Sequence, residues 1–487
     1  MDVEDGVGLS RRQENLALVA LTLPVLIISM DATILGFAVP QLSESLDPSS
    51  AELLWIIDIY SFVLSGLLIT MGNIGDRVGR RHLLLIGAGA FSVASVAAAF
   101  APTPLALIGA RALLGVAGAT LMPSTLSLIR NIFLDERRRQ FAISVWAMMF
   151  SVGAVAGPIL GGVLLQRYWY GSVFLVSVPV TLALLLAGPA LIPESRDPTP
   201  ERFDIPSSAL SMAAILPLVF GMKLVAEEGW NPLVAPSLLV GLASGWAFVR
   251  RQRQLPVPMI DITLFGVPRF RVAITGNLLT CFGFAGQAFF VTQYLQLVLG
   301  LSPTRAALQL LPGAIVGVAS TLAAPAMMRR WGPFAVIATG LAVGAAGFVV
   351  LTTAGPDSSL WPVTVALVLI EVGLCAAITT AIDGIMASIP PAKAGAGGAV
   401  SETANELGVA LGTAVLGSIA VAVYRRQLVG VPEAAQETLG AAHEIGGDAL
   451  TKAANQAFVD GMRVASIVAA ALLLAVSVAS ARVARQD

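Results

Sequence analysis

Residues 53–101 read LLWIIDIYSFVLSGLLITMGNIGDRVGRRHLLLIGAGAFSVASVAAAFA. Two apolar runs, 53–73 and 83–101, flank a short turn that holds Asp76, Arg77, Arg80, Arg81 and His82. Each run is about 20 residues long, and at ~1.5 Å per residue an α-helix of that length crosses a ~30 Å hydrocarbon layer. Gly72, Gly75 and Gly79 suit a tight connection between the two. The stretch therefore reads as a pair of membrane-crossing helices joined by a charged turn.

The rest of the chain repeats that pattern. Of 487 residues, 56% are apolar and 12% charged, about half the ~25% charge of a soluble domain, and the mean hydropathy is +0.83. Splitting at charge clusters and Pro/Gly turns gives fourteen apolar segments: 16–40, 53–73, 83–101, 105–129, 140–166, 172–192, 205–225, 233–249, 272–299, 305–328, 334–354, 361–387, 397–423 and 457–481. The first resembles a signal peptide only superficially, because it runs on to Pro40, carries Asp31 and lacks a small-residue cleavage pattern. The expected fold is an all-α polytopic membrane protein with 14 transmembrane helices. Six spans (1–192), two additional central spans with a basic, Pro-rich linker (193–271) and six more spans (272–487) suggest two six-helix bundles. The outer loop 424–456 is Ala/Glu/Gln-rich and reads as a small helical hairpin around Gly446-Gly447.

Alternate loops hold 21 and 5 Lys/Arg residues, the five being Arg167, Arg305, Arg425, Arg426 and Lys452. The richer side is cytoplasmic, so both termini are expected there. Trp169, Trp230 and Trp361 then sit at outer ends and Trp331 at an inner end, as interfacial anchors do.

Several chemistries are excluded. No Gly-rich phosphate loop ending in Lys exists, and His82 and His443 are too far apart for a zinc-protease helix. No G-x-S-x-G occurs. Cys281 and Cys375 each lie in an apolar segment and read as packing residues. A net charge of −1 gives no field for nucleic acid. The expectation is a non-enzymatic membrane protein with no cofactor, no metal site and no ATPase subunit.

Ionisable residues inside spans mark function by default. Asp383, Lys223 and Arg463 lie near helix ends and can snorkel. Asp31 lies fifteen residues beyond Leu16, and Arg111 eighteen from Ile129 on an oppositely directed span. Helical rise puts them roughly 22 Å and 27 Å from the same face, a difference of about one turn. A pair between them would hold Asp31 ionised until substrate or proton competes. Glu402 and Glu406 are spaced i, i+4 on one face, where like charges repel; at least one is expected to hold a proton near neutrality. Glu371 is close to mid-membrane without an evident basic partner, and Asp58 lies about 9 Å from an outer end. Five acids against one arginine favour protons and cationic solutes. Phe282, Phe284, Phe289, Phe290 and Tyr294 offer cation–π faces, although more of them are expected to pack than to line a cavity.

These residues resemble the major facilitator superfamily, and within it the fourteen-span drug:proton antiporters, over essentially the whole chain. Residues 72–81 match the superfamily loop between spans 2 and 3, where Asp76 meets the N-terminal dipole of span 3. The resemblance implies a latching role for Gly72, Asp76, Arg77, Gly79, Arg80 and Arg81. Arg111 with Gly115 and Gly118 resembles the span-4 motif, whose arginine is implicated in proton transfer. Residues 153–162 match the span-5 antiporter motif through Gly153, Gly157, Pro158, Gly161 and Gly162; small residues at helical spacing allow close helix packing. Residues 30–40, Asp204 and 401–412 fit the same family, and 401–412 with the long outer loop before span 14 looks most like exporters of quaternary ammonium compounds and dyes. Two departures stand out. Trp169-Tyr170-Gly171 replaces the family's Trp-Arg-Trp, and Leu311 to Met328 lacks the acid that some relatives carry, which leaves divalent cation recognition open. The implied protein is a monomer in the bacterial inner membrane that exports small amphipathic cations against protons. The alternatives are an exporter of an endogenous metabolite or antibiotic, and a non-transporting membrane sensor, which would need neither the acids nor the loop motif.

Overall fold

A computed structural model describes residues 10–48, 50–196, 204–228, 231–256, 258–301, 303–356, 358–390, 393–428, 430–432, 435–436 and 439–485. Every regular element among them is helical. In chain order they are α1 (Arg11–Leu46), α2 (Ser50–Val78), α3 (Arg80–Ala99), α4 (Pro104–Ile132), α5 (Glu136–Leu165), α6 (Ser172–Leu175), α7 (Ser177–Leu191), α8 (Ile205–Glu228) and α9 (Val234–Gln254). Then follow α10 (Pro268–Gln293), α11 (Pro303–Trp331), α12 (Pro333–Leu351), α13 (Trp361–Ala387), α14 (Ala394–Gln427), α15 (Leu439–Ile445) and α16 (Asp448–Ala484).

Local chemistry sets many of the boundaries. Thr103 and Asp135 cap α4 and α5 by accepting from the Ala106 and Arg138 amides at 3.2 and 3.0 Å. Pro104, Pro268 and Pro333 open their helices, where a missing N–H costs nothing. Gly79 and Gly332 make the abrupt turns between α2 and α3 and between α11 and α12 with φ of 116° and 82°, a region that an L side chain avoids.

Thirteen helices among the described residues are long and apolar enough to cross a membrane, with α6 and α7 together forming one span. The expected span 233–249 falls on α9, which is not among the thirteen and whose last turn carries Arg251 and Arg253. Val93 and Leu186 stand 71% and 83% exposed on their helices, the outward apolar face a bilayer requires and water would penalise. Trp230 and the side chain of Lys223 lie outside the described residues.

The chain divides into two compact units. The first comprises Met1–Leu218, Leu239–Leu264 and Ile385–Thr403. Within it α1 packs on α5, α2 and α3 pack on α4, and α3 packs on α7. Trp146 is fully buried there and donates its indole N–H to Thr125 Oγ1 at 3.0 Å. The basic linker after α9 is folded rather than loose: Gln252 donates to Ser207 Oγ at 2.7 Å and accepts from the Met259 amide at 2.7 Å.

The second unit comprises Val219–Leu238, Phe265–Gly384 and Ala404–Asp487. Its core joins Phe282, Phe290, Tyr294, Phe348, Met462 and Leu473. The expected outer hairpin is partly realised as α15 and the first turns of α16, linked by Gly446 and Gly447 at positive φ. Leu439 and Ala442 bury against Ala454 and Phe458, and Tyr424 donates to the Ala435 carbonyl at 2.9 Å. The apolar pattern begins at 457, but α16 begins nine residues earlier because this contact carries the helix beyond its membrane-crossing part.

Candidate functional site

Asp31 and Arg111 meet as helical rise predicts. Arg111 Nη1 lies 2.5 Å from Asp31 Oδ2, with the two side chains 2% and 8% exposed. Arg111 has further partners on α2: Nε donates to the Ile56 carbonyl at 3.1 Å and Nη2 to that of Ile57 at 3.3 Å. Its guanidinium also lies 4.8 Å from the Tyr60 ring centroid, a cation–π distance. The arginine therefore ties α4 to both α1 and α2 and keeps partners when the carboxylate is neutral. Asp31 Oδ1 has no hydrogen bond among the described residues. Asp31 also lines a cavity of about 30 Å³ together with Met30, Ile34, Phe174 and Ser177, room for about one water molecule.

The glycines of α5 set the position of α1 beside this pair. A Cβ at Gly153 would stand 2.6 Å from Ser29 Cβ, at Gly157 within contact of Thr33 Oγ1 and 3.0 Å from the Met30 carbonyl, and at Gly161 2.8 Å from Ile34 Cγ1. Backbone approach this close needs glycine. Ser29 Oγ locks the same contact by donating to the Phe150 carbonyl at 2.6 Å. Gly162 has open space around it and does not share that contact; the Pro158 side chain lies outside the described residues. On α4, Gly115 and Gly118 serve the contact with Tyr60, Val63 and Leu64 of α2.

Asp76 differs from expectation in its partner. It lies in the last turn of α2 and accepts from the Gly395 and Ala396 amides at 2.9 and 3.2 Å, so the helix dipole it meets is that of α14. The start of α3 is taken by Glu194, which accepts from the Arg81 and His82 amides at 3.1 and 3.2 Å. Arg80, 1% exposed, pairs with Asp76 at 2.7 Å and donates to Ser195 Oγ at 2.9 Å. Gly72 and Gly395 allow the approach, since a Cβ on Gly72 would stand 2.5 Å from the Gly395 carbonyl. Arg81 donates to the Pro189 and Ile192 carbonyls and lies 3.6 Å from Glu194. Arg77 is half-buried on the same turn, and Gly79 turns the chain.

This constellation of loop, span-4 arginine and span-5 glycines lies inside one region of sequence similarity, for residues 21–413 match the family model described as Major Facilitator Superfamily. The chain belongs to the major facilitator superfamily. It is 46% identical over 474 residues to the multidrug efflux pump LfrA of Mycolicibacterium smegmatis, covering 94% of each chain. The methyl viologen resistance protein SmvA of Salmonella typhimurium is 36% identical over 410 residues, with 82% of this chain and 81% of that one aligned. Among solved structures, the human organic anion transporter MFSD10 (TETRAN) superposes with a TM-score of 0.62 at 15% identity, over 95% of this chain and 99% of that one; that likeness shows the fold alone. The protein is therefore a multi-pass membrane transporter of this superfamily and not an enzyme.

The remaining acids of this superfamily member occupy different settings. Glu402 is 3% exposed and Glu406 half-buried on α14. Glu371 on α13 lies 3.4 Å from Gln287 Nε2 and 3.5 Å from Cys375 Sγ. The Asp58 side chain lies outside the described residues. Asp204, just before α8, accepts from Ser207 and is clamped by Arg251 at 2.8 and 3.1 Å. Burial pushes its carboxyl up, but the bonds from Arg251 and Ser207 outweigh burial and hold it below the usual carboxylate range.

The aromatic residues of α10 and of the π-helical turn Tyr294–Val298 that continues it mostly pack. Phe282, Phe290 and Tyr294 are core, with the Tyr294 hydroxyl donating to the Gly355 carbonyl at 2.7 Å, while Phe284 and Phe289 stay partly buried at its edge. Arg463 lies well inside α16 rather than near its end, and it donates to the Thr352 and Ala354 carbonyls at 3.0 Å each. In place of the family's tryptophan–arginine–tryptophan, Trp169 and Tyr170 donate to the Ala99 and Ala101 carbonyls. Glu194, Ser195, Ser29 and Gln287 escaped sequence reasoning, for each acts across helices far apart in the chain.

Proposed function

We propose that this transporter is a proton-coupled antiporter that exports small amphipathic, mainly cationic drugs and dyes from the cytoplasm by alternating access. The observation that carries the reading is the Asp31–Arg111 pair. One carboxylate oxygen is held by a buried arginine, and Asp31 also lines a cavity with room for about one water. A proton neutralises Asp31 and weakens its hold on Arg111; an organic cation competes for the same negative charge. Since a protonated carboxyl carries no charge to attract a cation, occupancy by proton and by substrate exclude each other, as exchange requires. Arg111 keeps its bonds to the Ile56 and Ile57 carbonyls throughout.

Asp58, Glu371, Glu402 and Glu406 complete the coupling set, and Gly72, Asp76, Arg77, Gly79, Arg80 and Arg81 form the cytoplasmic latch. The chain works as a monomer in the bacterial inner membrane with fourteen spans, both termini cytoplasmic, two six-helix bundles and two inserted spans. The proton gradient supplies the energy, and no cofactor is needed. The names of the bacterial relatives, a multidrug efflux pump and a methyl viologen resistance protein, support a drug as cargo.

The test is uptake into proteoliposomes under an imposed pH gradient, with a panel of cationic, anionic and neutral compounds. Gradient-dependent movement of several cations is expected. Transport that ignores the gradient would overturn proton coupling, and equal transport of anions would overturn the cationic preference. Movement of a single compound class would favour an endogenous metabolite or antibiotic.

A further inference from the structure

Glu371 lies in α13 of the second unit and faces α10 and α11 rather than a cation. No Lys, Arg or His nitrogen among the described residues comes within 4.0 Å of it. Its Oε1 is 3.4 Å from Gln287 Nε2 of α10, and its Oε2 is 3.5 Å from Cys375 Sγ one turn along its own helix. Gln287 is 9% exposed, and its Oε1 is buried without a hydrogen-bond partner among the described residues. An amide oxygen buried in that way calls for a donor. A half-buried carboxylate and a buried, orphaned amide oxygen thus share one site that is one donor short.

We propose that Glu371 and Gln287 form a two-state proton site, with Gln287 as its positioning residue. When Glu371 is ionised, the amide turns its N–H towards the carboxylate. When Glu371 takes a proton from water, the amide turns end for end, and the carboxyl O–H donates to Gln287 Oε1. Glutamine suits both states because its head carries a donor and an acceptor of nearly the same shape.

The walls decide what the site accepts. A Cβ on Gly317 would stand 2.9 Å from Glu371 Oε2 and 3.1 Å from Cys375 Sγ, and one on Gly313 would stand 3.2 Å from Glu371 Cγ. Towards α11 even a methyl group has no room, so from that side the carboxylate takes nothing larger than a proton. This deepens the proton-coupled reading, on which its place in transport rests, by separating an acid that only stores a proton from Asp31, for which substrate also competes.

The test is pH-difference infrared spectroscopy on the full-length transporter in lipid, read at the C=O stretch of protonated carboxyl groups. Wild type is expected to show a deuterium-sensitive band that is lost in Glu371→Gln. In Gln287→Met, which keeps the length of the side chain but has no acceptor amide, the band should persist and move to higher frequency. A band unmoved in Gln287→Met would overturn the pairing, because a role in packing alone predicts that result. Absence in wild type of any band that Glu371→Gln removes would overturn the site; this measurement needs no folded Gln287 variant. Substrate-dependent proton release, measured on the same wild-type sample, separates the two readings. Release without the band refutes this site alone, and the band without release refutes the export reading while leaving the site in place.

Discussion

Replacing Asp76 by alanine removes one carboxylate that serves two structures at once. It accepts from two amides at the start of α14 and pairs with Arg80, both side chains being under 10% exposed. Stripping one partner from a buried ion pair costs ~3–5 kcal/mol, and a carboxylate at a helix N-terminus contributes up to ~2 kcal/mol. The two overlap because a single group supplies both, and Arg80 keeps its bond to Ser195, so ~3 kcal/mol is the working figure. At ~1.4 kcal/mol per tenfold, the state that holds this contact loses on the order of 10² in relative population. The assay compares turnover and equilibrium dye binding in reconstituted wild type and Asp76→Ala. Turnover should fall at least about tenfold while dye affinity stays within about threefold, because the contact governs conformation and not the binding site. A roughly tenfold loss of affinity with turnover per bound dye unchanged would refute the latch.

Other positions are open to similar tests. Gly157→Ala places a methyl group against Thr33 and the Met30 carbonyl, and should cost ~1–3 kcal/mol, seen as a lower melting temperature and weaker transport; Gly162→Ala, in open space, should do neither. Asp204 is held below the usual carboxylate value of 3.8 in the folded protein, so its contribution to stability is fully present above that value and is lost as pH falls through the lower folded value. Melting temperatures of wild type and Asp204→Asn should therefore differ at neutral pH and converge only in strong acid; a constant difference down to the lowest pH that preserves the fold would contradict the Arg251 clamp.

What the sequence makes legible follows from which forces are local. Apolar runs reveal the spans because hydrocarbon accepts few other patterns. Asp31 and Arg111 can be matched in depth because helical rise is fixed, and their pairing then needs only adjacent helices. Gly153, Gly157 and Gly161 announce a close contact by their spacing, although not that Ser29, Thr33 and Ile34 lie opposite. The partner of Asp76 is hidden because Gly395 lies 319 residues away, and a nearer helix start satisfied the same dipole argument. Glu194 holds that nearer start from 113 residues away, without a local pattern to reveal it. Aromatic residues on α10 carry the same signal whether they pack or line a cavity, and only neighbours such as Phe348 and Leu473 decide for packing.

The central claim is that Asp31 is the carboxylate for which proton and cationic cargo compete, and proton release on adding dye to purified protein tests it most directly. Wild type should release protons in step with dye binding. Asp31→Asn should release few or none while remaining folded, because its amide cannot give up a proton and still offers Arg111 an acceptor oxygen. Undiminished release from that variant would contradict the account.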